Sequence, residues 1–98
     1  MGVNISIVDM RTGADVPGWD WCRHAGDRRV FDVLAKVGYT STPRGDLRDG
    51  RSFARPDDMA AFRTALHTAF DFNTERWNQM CDLLTEDQNR GLYFSWWG

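Results

Sequence analysis

The chain has 98 residues, of which 42% are hydrophobic and 13% aromatic, and its formal net charge is -2. So many rings exclude a disordered chain, and the length suits one domain over residues 1–98 with a single modest core. The small net charge excludes a global field that would draw the protein onto nucleic acid or an anionic membrane.

Lys36 is the only lysine among twelve basic residues, and Glu75 and Glu86 are the only glutamates among fourteen acids. Coding bias explains this Arg/Asp usage without invoking bidentate anion recognition. Cys22 and Cys81 are the only cysteines, too few for a disulfide framework, so free thiols in a reducing compartment are expected. No basic segment followed by an apolar run opens the chain, and no apolar stretch has the length of a membrane span. A cytoplasmic location is the expectation.

Residues 2 to 10 read as a β-strand, with Val3, Ile5 and Ile7 alternating with Asn4 and Ser6. Two turn signals follow, Arg11 to Asp15 and Asp15 to Gly18. Trp19 and Trp21 are spaced to put both indoles on one side of an extended segment. A helix is expected over 27–37, capped by Asp27, with Val30, Phe31, Leu34 and Val37 as its apolar stripe and Gly38 just past its end. Residues 39–55 read as irregular, broken by Pro43, Gly45 and Gly50, with a short edge strand at Ser52 to Ala54.

A second helix is expected over 56–70, with Pro56 at its first position and Asp57 and Asp58 in its first turn. Its stripe is Met59, Phe62, Leu66, Ala69 and Phe70. A third is expected over 74–90, capped by Asn73 or Thr74, with Trp77, Met80, Cys81 and Leu84 as its stripe, a Glu86–Arg90 pair and Gly91 as its stop.

The tail, Leu92-Tyr93-Phe94-Ser95-Trp96-Trp97, alternates poorly between apolar and polar, so both faces of an extended tail need cover. A central strand beside the first strand supplies it, with helices on one side and the Trp19/Trp21 segment on the other. Alternatively Tyr93 and Trp97 form a docking surface, since Tyr and Trp dominate binding hot spots.

Chemical motifs are weak. Cys22, His24, His67 and Cys81 have ligand chemistry for zinc, but their spacing fits no compact site. A Cys22–His nucleophile lacks any oxyanion-hole signal. No metal and no cofactor is expected. Asp pairs have local explanations as helix-start acids or partners for Arg. Arg44, Arg48, Arg51 and Arg55 form the best polar cluster, though Asp46 and Asp49 can pair with two of them.

The expected fold is therefore α+β, a small antiparallel sheet containing the first and last strands, packed against about three helices. The expected function is a small non-enzymatic interaction module of the regulator, inhibitor or immunity type, bacterial or phage. It would bind another protein, or itself as a homodimer through the terminal strand, using Tyr93, Trp96, Trp97, Arg44, Arg48, Arg51 and Arg55. Neither a membrane nor nucleic acid is the expected partner. The alternative is a small phosphate-ligand or nucleic-acid binder, or an enzyme, built on the Arg44–Arg55 loop.

Overall fold

The computed structural model describes residues 2–19, 28–43, 52–71 and 74–97. The elements run β1 (Gly2–Asp9), α1 (Arg28–Val37), β2 (Tyr39–Pro43), β3 (Ser52–Pro56), α2 (Met59–Ala69), α3 (Thr74–Glu86) and β4 (Arg90–Trp97). The strands form one antiparallel sheet in the order β1-β4-β3-β2, so the fold is α+β and the two terminal strands are neighbours. No helix among the described residues is long and apolar enough to cross a membrane.

β4 is an inner strand. It pairs with β1 from Gly2↔Trp97 to Asp9↔Arg90, and Leu92 meets Ala54 of β3 on its other edge. This position resolves the poor alternation of the tail. Leu92 and Phe94 point into a large cluster with Ile5, Ile7, Ala54 and the buried faces of all three helices. Tyr93 points the other way, into a smaller cluster with Val8, Phe53 and Met10. Its ring meets that of Phe53 edge to face at 5.9 Å, a favoured aromatic geometry.

The helix stripes are buried at their centres, while Phe31, Val37 and Met59 are half-buried and Ala69 is exposed. Val30 and Leu34 of α1, Phe62 and Leu66 of α2, and Trp77, Met80, Cys81 and Leu84 of α3 are all without solvent exposure. Gly38 ends α1 at φ +93°, and its N–H donates to the Leu34 carbonyl at 3.0 Å. That is the left-handed closure for which glycine has no steric cost. The cap expected at Asp27 lies outside the described residues.

Four expectations need correction. First, residues 39–55 are not simply irregular: Tyr39–Pro43 pairs with Ser52–Pro56 as a hairpin. The strand at 52 is internal, and β2 takes the edge. Second, Pro56 ends β3 instead of opening α2. Asp58 is the N-cap, its Oδ1 accepting the Ala61 N–H at 3.0 Å, which Pro56 has no side-chain acceptor to do. Third, α3 stops at Glu86. The Asp87 side chain accepts the Asn89 N–H at 2.9 Å and turns the chain, so Arg90 and Gly91 already belong to β4. Fourth, Trp19 joins the helix-side cluster, where Arg76 of α3 stacks over its ring at 5.4 Å. Trp21 lies outside the described residues.

Candidate functional site

Ala54 stands opposite Leu92, and β3 runs backwards from there to Ser52 while β4 runs forward to Trp97. Ser52 is in turn paired with Pro43. The mouth of the 44–51 loop and the last residues of β4 are therefore at the same end of the sheet. Arg44, Arg48 and Arg51 lie outside the described residues, as do the side chains of Trp96 and Trp97. The backbones of Trp96 and Trp97 are held against Val3 and Gly2.

Two other candidate contacts are placed differently. Tyr93 is only 4% exposed, so its ring is core and not a docking surface. Arg55 is a structural clamp. Its Nη1 donates to the carbonyl oxygens of Leu84 at 2.7 Å, Asp87 at 3.1 Å and Arg90 at 3.0 Å. These carbonyls belong to the end of α3 and the turn into β4, where a helix exposes acceptors that lack an intrahelical donor. Arg90 adds to this clamp, its Nη1 reaching the Leu83 carbonyl at 2.9 Å and Glu86 at 3.4 Å. Sequence reading missed this role, because the acceptors are backbone atoms about thirty residues away in the chain.

Of the nucleophile and metal candidates, Cys81 and His67 are described, and both sit in structural contacts. Cys81 is fully buried, and burial pushes its thiol up to about 11, so at neutral pH it is a packing group. His67 is exposed on α2, with Nε2 2.8 Å from Asn78 Oδ1 on α3. That oxygen also accepts from Arg63 Nη1 at 3.0 Å, and Arg63 Nη2 meets Asp82 at 2.7 Å. The four side chains form a polar seam between α2 and α3. Among the described residues no three His, Cys, Asp or Glu converge on a metal position. Cys22 and His24 lie outside the described residues.

Comparison with protein-family models, with curated proteins and with solved structures finds no match to this chain. The site must therefore be judged on its own geometry. A groove of about 490 Å³ runs beside β1, lined by Ser6, Asp15, Val16, Pro17, Gly18 and Trp19. Its lining among the described residues carries one carboxylate, Asp15, and one hydroxyl, Ser6. The homodimer expected through the terminal strand also changes. β1 lies along one edge of β4 and β3 meets the other at Leu92, so over that stretch β4 is an inner strand and not a free edge for a second chain.

Proposed function

We propose that this chain is a small non-enzymatic protein-interaction module of the regulator, inhibitor or immunity type. Its contact groups would be Trp96 and Trp97 of β4 together with Arg44, Arg48 and Arg51 of the segment between β2 and β3. The shared end of the sheet supports this reading, since Ser52 at the loop's exit and the end of β4 follow from the Ala54–Leu92 register. Aromatic anchors beside arginines are the composition of binding hot spots. The reading as a phosphate or nucleic-acid binder is weakened, because Arg55 Nη1 is already spent on three carbonyls.

The test is affinity capture from the source cells with wild type, Trp97→Ala, Arg48→Ala and a Glu75→Gln control. The captured protein is then purified and its affinity measured directly. Wild type and the control should bind with equal affinity, and Trp97→Ala and Arg48→Ala should each weaken binding at least about tenfold. Poly(U) RNA and inorganic phosphate serve as competing probes over a salt series. Capture independent of Trp97, or binding to either probe that falls steeply with salt, overturns the proposal.

A further inference from the structure

The sheet has two outer edges, and they are treated differently. Along β1, Asp9 N–H donates to Ala14 O at 2.9 Å and Val16 N–H to Ile7 O at 2.8 Å, while Ile5 is fully buried. Along β2, Thr40 and Ser41 are exposed, and Tyr39, at 36%, is the exposed large hydrophobic residue among those described.

The phase of β2 follows from one bond. Asp57 N–H donates to Gly38 O at 3.1 Å, so Tyr39 and Pro56 form a non-hydrogen-bonded pair. Thr40 and Thr42 then direct their backbone groups inward to β3, and Tyr39, Ser41 and Pro43 direct theirs outward. Pro43 falls in the one phase where a missing N–H costs the sheet nothing. The open edge thus presents complete donor and acceptor pairs at Tyr39 and Ser41, on a strand with no charged residue.

We propose that a second copy of this chain pairs antiparallel along β2, in the register that sets Thr40 opposite Thr40 of the partner subunit. This two-fold arrangement joins each Tyr39 to the other chain's Ser41 by two backbone hydrogen bonds. The N–H and C=O of both Tyr39 and Ser41 are satisfied on each strand, and neither Pro43 is required to donate. A two-fold centred one residue later places Tyr39 opposite proline and leaves its carbonyl without a donor. The chosen register also sets threonine opposite threonine, each of whose hydroxyls donates to Asp57 Oδ1 of its own chain at 2.6 Å. The dimer would be an eight-stranded sheet with β4 two strands from the new seam, and its test reads self-association, not affinity for another protein.

Sedimentation velocity up to about 1 mM protein provides the test. Wild type should shift from monomer toward twice the monomer mass. Ser41→Pro removes only an outward N–H; it should keep its circular dichroism and lose the shift. Thr40→Cys should form an intermolecular disulfide with oxidised glutathione, because opposed non-hydrogen-bonded positions lie about 4.5 Å apart at Cα. Thr42→Cys, about 13 Å from its counterpart in this register, should not. A wild type that stays monomeric overturns the proposal, as does a folded Ser41→Pro that still dimerises. Cross-linking at 42 equal to that at 40 overturns the register.

Discussion

The Nη1 atom of Arg55 lies 2.7 Å from the carbonyl oxygen of Leu84, joining the inner strand β3 to the last turn of α3 across 29 residues of sequence. The same nitrogen reaches two further carbonyls where the chain turns into β4. A cation at a helix C-terminus is favoured by the dipole and by the acceptors left open there. Replacing Arg55 with Ala should lower unfolding stability by about 2 kcal/mol, read from the urea midpoint, since partly buried carbonyls lose a charged donor. An unchanged midpoint would mean that solvent serves those carbonyls equally well.

Gly91 sits where β4 passes close to its neighbours. A Cβ there would lie 2.6 Å from Met10 Sδ, 2.9 Å from Met10 Cγ and 3.1 Å from the Ala54 carbonyl oxygen. The Met10 side chain can move, but the Ala54 carbonyl belongs to the sheet. Gly91→Ala should cost about 1–3 kcal/mol. A double-mutant cycle with Met10→Ala should recover part of this and leave the backbone remainder. Full recovery would assign the whole clash to Met10.

Cys81 carries a pH dependence of known sign. Burial raises its thiol from 9.0 to about 11, because the thiolate is disfavoured in an apolar core. The folded state therefore holds the proton more tightly than the unfolded one. The resulting stability is complete below about 9 and is lost as pH rises through about 11, to a limit of roughly 2–3 kcal/mol. Urea midpoints of wild type and Cys81→Ala measured across pH 8 to 11 should converge over that window. The native thiol should also resist iodoacetamide at pH 8 until the protein unfolds.

Asp9 behaves in the opposite sense. Its carboxylate accepts from Arg11 Nη2 at 2.7 Å, from Nε at 3.1 Å and from the Arg11 backbone N–H at 2.8 Å. These bonds hold its carboxyl at about 2, below the usual 3.8. The folded state favours the charged form, so the contribution is present above 3.8 and fades as pH falls through about 2. A carboxyl-carbon NMR titration should give an Asp9 midpoint well below the usual 3.8, and Arg11→Ala should bring it back toward that value.

Much of this architecture was legible in the residues. The alternation of Val3, Ile5 and Ile7, the stripes through Leu34, Phe62 and Trp77, and the double-sided tail each report burial directly, because period and polarity are local properties. The hairpin of β2 and β3 was not legible. Tyr-Thr-Ser-Thr-Pro has no apolar alternation, as an edge strand open to solvent needs none.

Local pattern by itself determined that this chain is α+β and that the Leu92-Tyr93-Phe94 segment requires cover on both sides. Tertiary structure alone decided that Tyr93 is interior, that Arg55 serves the end of α3, and that Ser52 of β3 and the end of β4 lie at the same end of the sheet. The physical reason is common to all three. Each depends on strand register and on backbone acceptors brought close by folding, and neither leaves a mark in the spacing of side chains.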